Sequence, residues 1–287
     1  MNWHETIIDI QNNPEFNALV RQTYITSDLE WNVRAFEESE EFLATLEFIQ
    51  QYTNSKGKLL DIGAGNGISS IAFSKLGYQV TALEPDPSDL VGAEAIRRLG
   101  KNHSLENLSV IEGYAEDIIE GKAEYFDLIY ARQSLHHAAD LKKYVENAFY
   151  MLKPGGLFLT IRDHVVNDRV DLESFLNHHP LHKFYGGENA FTEGQYLEAF
   201  TDAGFRILKI YKHYDSVINY APLTKLEVDT IPSELQKKLS RYIGKLAFKR
   251  PVLKFVRFVY DLLGRKLYDE QIIPGRLRSF ILTKPEA

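Results

Sequence analysis

The residues with the clearest chemistry lie in one glycine-rich loop. A short apolar run leads into Asp61, and glycines then alternate at positions 63, 65 and 67 before a helix-like stretch. This pattern predicts a buried strand, a tight turn and the start of a helix, and glycines let a ligand come close to the backbone. The dinucleotide fingerprint has the spacing GxGxxG, and Asp61 would repel a diphosphate but attract an amino group. The loop therefore predicts a site for a cationic nucleotide cofactor.

S-adenosylmethionine (SAM) meets this requirement, because it carries a sulfonium and an ammonium group and no phosphate. The stretch from Asp61 to Gly67 resembles (D/E)xGxGxG, the first motif of the class I SAM-dependent methyltransferases. The resemblance covers residues 57–213 and the final strand. The cofactor contacts that it implies in this loop are Asp61, Gly63, Ala64 and Gly65.

Acidic residues farther along the chain extend the resemblance. Glu84 ends a strand-like run about 20 residues beyond the loop, where a carboxylate can accept both ribose hydroxyls. The resemblance gives Glu84 this role, with Pro85 beside it, and places Ala115 and Glu116 at the adenine. The alternative for Glu116 is that it only caps a helix.

Histidines and arginines follow two further strands, predicted at 126–131 and 157–161. The carboxyl ends of parallel strands share one edge of a sheet, so these side chains are expected in one cleft. The loop after the strand at 126–131 ends in Leu-His-His, as in small-molecule C- and O-methyltransferases. It lacks the (D/N)PPY motif of enzymes that methylate nucleic-acid amino groups. A histidine can act as a general base near neutral pH, although each could instead cap a loop or pack beside the cofactor. The candidate bases are His136, His137 and His164; Arg132 is a cofactor candidate and Arg162 a substrate candidate.

The segment 178–189 contains three histidines and a glutamate. Pro180 and two consecutive glycines interrupt regular geometry there, and neither HxH nor HExxH spacing occurs. We therefore predict no metal ligands and interpret the segment as a loop that shapes the substrate site, with Tyr185 and Glu188 as substrate contacts.

The N-terminal residues 1–56 are predicted to be helical and to cover the cleft as a lid, as in related methyltransferases. Tyr24, Trp31 and Arg34 are expected to face the cleft, the first two toward the substrate and Arg34 toward the SAM carboxylate. A surface helix packed on the sheet is an equally weighted alternative.

The predicted fold is α/β: a doubly wound, seven-stranded, mostly parallel Rossmann-like sheet with an antiparallel last strand. The Lys153-Pro154-Gly155-Gly156 turn supports this fold. A helical insertion separates the last two strands. The predicted divisions are a lid at 1–56, a SAM-binding core at 57–213, the insertion at 214–275 and the final strand at 276–287.

Charge is unevenly distributed along the 287 residues. The net charge of −7 argues against general nucleic-acid binding, yet residues 237–266 carry +9 and leave −16 for the rest. Apolar residues alternate with these cations at helical spacing, and Pro251 divides two predicted helices. Such a pair could contact an anionic membrane, bind a phosphate-bearing substrate, or simply cap the domain.

Composition narrows the function further. The chain has no cysteine, which excludes disulfides, zinc-thiolate sites and cysteine nucleophiles. No signal peptide or membrane span is evident, so a cytoplasmic protein is expected, with peripheral contact to the inner membrane face as an open alternative. We predict methyl transfer from SAM to oxygen or carbon of a small-molecule, saccharide or lipid-linked acceptor. The alternatives are a non-catalytic SAM-binding regulator and a peripheral membrane assembly protein.

Overall fold

The structure, a computed structural model, describes residues 3–53, 56–117, 119–230, 234–262, 273 and 275–286. The eight strands of its single described sheet are β1 Lys58–Ile62, β2 Gln79–Leu83, β3 Leu108–Ile111, β4 Phe126–Arg132, β5 Leu152–Val166, β6 Phe191–Thr192, β7 Arg206–Tyr211 and β8 Arg276–Thr283.

The order of the strands is β3-β2-β1-β4-β5-β8-β7, with the two-residue β6 pairing on β5. Strands β1 to β5 pair in parallel, and β8 lies antiparallel between β5 and β7. The prediction of a mostly parallel sheet with an antiparallel last strand is confirmed. The short β6 is an addition that the sequence did not predict.

Helices cover both faces of the sheet. Their bounds are α1 Trp3–Asn12, α2 Asn17–Gln22, α3 Leu29–Glu37, α4 Glu40–Tyr52, α5 Ile68–Lys75, α6 Ala93–Asn102, α7 Leu141–Met151, α8 Arg169–His178, α9 His182–Tyr185, α10 Glu193–Ala203, α11 Val217–Tyr220, α12 Lys225–Thr230, α13 Glu234–Ile243 and α14 Arg250–Leu262.

Alternation along the central strand β4 divides the core in two. Leu128 and Tyr130 pack on one face with α3, α4 and α5, whereas Ile129 and Ala131 pack on the other with α7 and α10. Because a central parallel strand is covered on both faces, its residues are apolar in succession rather than in alternation. This arrangement holds the carboxyl ends of β1, β2, β4 and β5 at one edge of the sheet.

Strand β5 continues past the end that the sequence predicts. Arg162, Asp163 and His164 were expected beyond a strand ending at 161, but β5 runs on to Val166 because its second half pairs with β8. The register of that pairing shifts between Thr160 and Asp163, and Arg162 takes a φ of +63°. This β-bulge re-aims the side chains that follow it.

The late insertion is helical, as predicted. Helices α13 and α14 are separated by a 3-10 helix over Gly244–Phe248, and their main contacts are with it. Pro251 lies in the first turn of α14, where its missing N–H costs no intrahelical hydrogen bond. Residues 263–272 of the predicted insertion lie outside the described residues. Within the described part, no helix is both long and apolar enough to cross a membrane.

Candidate active site

The glycine loop lies between the end of β1 and the start of α5. Gly63 has a φ of +66° and lies so close to Ser134 that a Cβ would be 2.3 Å from the Ser134 Oγ. Gly65 has a φ of +56°, but a Cβ there would have nothing within 4 Å. The first glycine therefore permits close packing within the protein, and the second leaves open space for a ligand.

Asp61 lies behind this loop rather than in the open cleft. Its carboxylate is 1% exposed and accepts hydrogen bonds of 2.6 Å from the hydroxyls of Ser69 and Ser70. Burial raises its pKa to about 6, although the two hydroxyls act against this rise. In this structure Asp61 fixes the first turn of α5 to β1.

Glu84, at the end of β2, supports the loop from the other side. Its Oε2 accepts a 2.6 Å hydrogen bond from the Gly65 N–H, and its Oε1 accepts one of 2.9 Å from the Asp86 N–H. Burial raises the pKa of Glu84 to about 7, against the effect of these two donors. The carboxylate is therefore close to half ionised at neutral pH.

A cavity of about 770 Å³ opens beside Glu84. Pro85, Ala115 and Glu116 line it, as the resemblance implied for the ribose and adenine side of the cofactor. Glu116 also accepts hydrogen bonds from the N–H groups of Ala139 and Asp140, which precede α7. The side-chain cap of α7 is Asp140 itself, so Glu116 ties the cavity wall to this loop rather than capping the helix. The volume is within the usual range for a small-molecule site.

A second cavity, of about 210 Å³, lies on the other side of the glycine loop. Its walls include all three candidate histidines together with Glu188, and Gly63 and Gly65 border both cavities. Trp3, Gln133 and His137 also border both. The two cavities thus meet at the glycine loop and at these three side chains, of which His137 is the one imidazole.

His136 is the most buried of the histidines, at 1% exposure. Its Nδ1 is 3.0 Å from Asp163 Oδ1, and its backbone N–H donates to the same oxygen. Burial lowers the pKa of His136 well below its usual value and raises that of Asp163 to about 7. Asp163 was missed as a site residue, because its inward direction depends on the bulge in β5.

The other site histidines have backbone partners. His137 Nδ1 is 3.1 Å from the carbonyl oxygen of Gly187, and His164 Nδ1 is 2.6 Å from that of Gly275. Burial lowers the pKa of His164 to about 4. A carbonyl can only accept, so each Nδ1 donates to it and Nε2 is the ring nitrogen left for another partner.

Two predicted substrate contacts meet at the end of the 178–189 segment. The Tyr185 hydroxyl donates a 2.6 Å hydrogen bond to Glu188 Oε1. Glu188 is 8% exposed and borders the smaller cavity, whereas Tyr185 borders the larger one. His179 was not predicted, yet its Nδ1 is 3.7 Å from Glu188 Oε1.

The two arginines share one buried carboxylate. Arg132 pairs with Glu41 through two nitrogens, and Arg162 NH1 is 3.4 Å from the same group. Arg162 also donates to the carbonyl oxygens of Ile218 and Ala221 and lines neither cavity. Arg132 borders the smaller cavity. Burial of this cluster ties α4 to the ends of β4 and β5.

The N-terminal helices differ in position from the prediction. Arg34 is exposed, Trp31 packs beside Arg21, and the ring of Tyr24 packs against Phe36; none of the three predicted residues lines either cavity. Helix α3 carries an apolar face that is buried on the sheet side, as in the alternative considered for it. Trp3 of α1 borders both cavities instead.

The strand order, the glycine loop and the acidic strand end define a nucleotide-cofactor site on a Rossmann-like sheet. Comparison with known proteins assigns the family. A family described as a methyltransferase domain matches residues 34–210, more than half of the chain. The chain belongs to this family, which confirms the prediction of a class I methyltransferase.

Curated relatives match over the core. A ubiquinone biosynthesis O-methyltransferase of Methylobacterium sp. (strain 4-46) is 36% identical over 103 residues, 35% of this chain and 38% of that protein. The enzyme of the same name from Coxiella burnetii (strain Dugway 5J108-111) is 32% identical over 114 residues, 39% of this chain and 46% of that protein. The chain thus spans less than half the length of these relatives.

Solved structures match over more of the chain. Geranyl diphosphate C-methyltransferase from Streptomyces coelicolor A3(2) aligns with a TM-score of 0.56 at 15% identity. The alignment covers 96% of this chain and 87% of that one. At this identity the likeness supports the fold.

Proposed function

We propose that this protein transfers the methyl group of SAM to an oxygen atom of a small-molecule acceptor. The observation that carries the proposal is the position of His137, which borders both the larger cavity beside Glu84 and the smaller cavity beside Glu188. A transferred group must cross from a cofactor site to an acceptor site, and a proton acceptor is useful at that crossing.

The larger cavity suits SAM. Gly65 leaves open space where a side chain would project, and the Glu84 carboxylate lies directly behind it. We assign Glu84 and Pro85 to the ribose side and Ala115 and Glu116 to the adenine side. At the methionine end, the further cofactor candidates are Gly63, which borders both cavities, and Ala64 and Arg132, which border the smaller one. Asp61 supports this end from behind the loop through Ser69 and Ser70.

SAM supplies an electrophilic methyl group on a sulfonium, so the acceptor oxygen gains the methyl as the carbon–sulfur bond breaks and S-adenosylhomocysteine leaves. The protein has to align the acceptor and remove one proton. The Gly187 carbonyl oxygen accepts from His137 Nδ1–H, which leaves Nε2 to take the hydroxyl proton of the acceptor. Alignment comes from the glycine loop and from Glu188 on opposite sides of this ring.

Oxygen is favoured over carbon as the acceptor atom for two reasons. A hydroxyl proton matches the strength of a neutral imidazole base, and the curated relatives are named O-methyltransferases. Carbon methylation, the activity in the name of the Streptomyces structure, is the competing outcome.

Two measurements test the proposal. Titration calorimetry with S-adenosylhomocysteine should show one binding site per chain, and its absence would contradict the cofactor assignment. Incubation with SAM labelled with ¹³C at the methyl, in the presence of phenol, sugar and lipid-linked acceptors, should give a methyl resonance in the O–CH₃ range. A C–CH₃ resonance would refute the oxygen assignment, and binding without turnover of any acceptor fraction would indicate a regulator.

We further propose that the basic insertion binds an anionic membrane surface. Phe255, Phe258 and Leu262 of α14 follow one another at helical spacing and are 67%, 62% and 75% exposed. Four cations with exposed side chains lie on the same helical pair and its linker: Arg241, Lys245, Lys249 and Lys254. An exposed apolar stripe beside cations matches a surface of anionic headgroups over acyl chains.

Vesicle sedimentation tests the membrane proposal. The protein should bind vesicles that contain phosphatidylglycerol and not vesicles of phosphatidylcholine alone, and Phe255→Ser with Phe258→Ser should abolish the difference. Val170→Ser is a matched control, because Val170 is a 75% exposed apolar residue on α8. Equal binding to both vesicle types would reject the preference for anionic lipid, and binding that survives the double substitution would reject the apolar stripe of α14 as the contact surface.

A further inference from the structure

Three potential metal ligands from separate segments meet in the smaller cavity. His136 follows β4, His164 lies in the second half of β5, and Glu188 precedes β6. One ligand atom from each lies within 4.8 Å of the other two. Among the residues that the structure describes, this is the only group of three that meets this distance.

The outer partners of the two histidines suit metal binding. His136 Nδ1 is 3.0 Å from Asp163 Oδ1, and His164 Nδ1 is 2.6 Å from the Gly275 carbonyl oxygen. Metal-bound histidines commonly donate their second ring N–H to a carboxylate or a backbone carbonyl, which fixes the ring and leaves the other nitrogen for the ion. Both arrangements occur here, side by side.

The third ligand is held in a comparable way. Glu188 Oε1 accepts from the Tyr185 hydroxyl at 2.6 Å, while Oε2 is 3.8 Å from His136 Nε2 and 3.9 Å from His137 Nε2. Two atoms bound at about 2.1 Å to one tetrahedral ion are about 3.4 Å apart. The ligand atoms here lie within 4.8 Å of one another, so side-chain shifts of roughly an ångström would close the site.

We propose that His136, His164 and Glu188 bind one divalent transition-metal ion of the zinc class. Two imidazoles and one carboxylate are typical ligands of Zn²⁺ and Fe²⁺, whereas Mg²⁺ and Ca²⁺ select oxygen ligands. Three protein ligands leave at least one coordination position, and the ligands border the same cavity as His137. An acceptor in that cavity would therefore be within reach of an open position on the ion.

The role of the ion deepens the proposed function and rests on it. A metal-bound hydroxyl has a lowered pKa, because the cation stabilises the oxyanion. An acceptor that places its oxygen on the ion and its proton near His137 Nε2 would be both oriented and activated. The inferred acceptor class is therefore a hydroxyl compound whose oxygen can bind the open position of the ion.

Zinc binding by the full chain tests the site without reference to activity. After dialysis against EDTA, calorimetry with Zn²⁺ should show one site per chain, and Mg²⁺ should not occupy it. Co²⁺ should give visible absorption bands from a nitrogen- and oxygen-liganded ion. Glu188→Gln and His164→Ala should weaken Zn²⁺ binding by about 100-fold or more, and Asp163→Asn, which changes a positioning residue, by about 10- to 100-fold.

His178→Ala is the matched control, because His178 is an exposed histidine at the end of α8 whose Nδ1 is bonded to the Ser174 carbonyl oxygen. It should leave the Zn²⁺ affinity unchanged. Tyr185→Phe provides a mild second variant, since it removes only the hydroxyl on Glu188 and should weaken Zn²⁺ binding by about 10-fold. Thermal unfolding of each variant identifies any loss that comes from misfolding.

The possible failures are distinguishable. Zn²⁺ binding that survives Glu188→Gln and His164→Ala, or absence of Zn²⁺ binding in a protein that still binds S-adenosylhomocysteine, would overturn the metal site and leave the proposed function intact. Zn²⁺ binding without any S-adenosylhomocysteine binding would contradict the proposed function and leave the metal site intact. A preference for Mg²⁺ over Zn²⁺ would overturn the assigned metal class.

Discussion

The two sides of the cleft are built in different ways. The cofactor side consists of the glycine loop, Glu84 and the 113–117 turn, each of which directly follows a strand. The histidine side is assembled from β4, a bulge in β5 and a loop more than 20 residues beyond it, and its ring orientations depend on Asp163 and Gly275. The cofactor side therefore depends mainly on backbone geometry, and the histidine side depends mainly on side-chain contacts between distant segments.

This difference has a chemical basis. A nucleotide cofactor common to many enzymes can be held by backbone groups and one carboxylate, so few side chains are needed. An acceptor site has to distinguish one molecule from many, which requires side chains from several loops on a rigid scaffold. The two sides should therefore respond separately to substitution.

The largest effect is expected where the two sides meet. His137→Ala should lower kcat by about 10²- to 10⁴-fold, because it removes the proposed general base. The affinity for S-adenosylhomocysteine should change by only a few-fold, since the glycine loop and Glu84 remain. Steady-state kinetics and calorimetry on the same preparation measure both, with His178→Ala as the control. Loss of cofactor affinity equal to the loss of kcat would assign His137 to the cofactor side.

Gly65→Arg tests the cofactor side alone. An arginine side chain would project into the open space beside Gly65, so S-adenosylhomocysteine binding should weaken by roughly 100-fold or more. This loss should exceed the backbone strain of about 1–2 kcal/mol that any side chain causes at positive φ. Gly121→Arg isolates that strain, because Gly121 has a φ of +70° and also has nothing within 4 Å. Calorimetry should show normal affinity for the control. A similar loss in both variants would mean that strain, not occlusion, is responsible.

Glu84 should give cofactor binding a pH dependence. Its pKa is raised to about 7, so the carboxylate ionises as the pH rises from 6 to 8 and gains an acceptor for the ribose hydroxyls. Because a hydrogen bond to a charged group contributes about 1.5–3 kcal/mol, affinity for S-adenosylhomocysteine should rise roughly tenfold over this range. Glu84→Gln should remove the rise, whereas Glu112→Gln, at an exposed carboxylate paired with Arg97, should retain it. Affinity that falls with pH would contradict this sign.

The smallest effects concern the N-terminal helices. The chain has two tryptophans, and only Trp3 borders the cavities. S-adenosylhomocysteine should therefore change the fluorescence of Trp31→Phe but not that of Trp3→Phe. Arg34→Ala should alter cofactor affinity by less than about twofold, as expected for an exposed position. A larger loss would restore Arg34 as the partner of the SAM carboxylate.

The strand, turn and helix of the cofactor side could be predicted from the sequence because they follow local rules. The alternating glycines and the acid at a strand end are close in the chain, and their spacing is dictated by the strand–turn–helix unit. The sheet was predicted for the same reason, because the apolar run of each strand and the turn that follows it can be recognised from a few neighbouring residues. The N-terminal helices were expected to reach the cleft through Tyr24, Trp31 and Arg34, whereas Trp3 of α1 borders it and α3 packs on the sheet, which no local pattern distinguishes.

The histidine side could be predicted only in part. His136, His137 and His164 were expected in one cleft from their positions after strands, and Glu188 was expected at the substrate site from the 178–189 loop, but the close approach of Glu188 to these histidines was not predicted. It depends on a register shift in β5 and on the approach of the 178–188 segment, neither of which leaves a local pattern. The absence of HxH or HExxH spacing excludes only metal sites built on one element, and this set comes from three.

The hydrogen bond between His164 and the Gly275 carbonyl oxygen also bears on the order in which the two sides of the cleft form during protein synthesis. Its partners are 111 residues apart, which corresponds to about 5–20 s of synthesis at roughly 5–20 residues per second. Strands β1 to β5 and the cofactor loop can leave the ribosome well before β8 arrives beside β5. A nascent chain could thus acquire its cofactor side first, and the histidine side becomes complete only when the last strand enters the sheet.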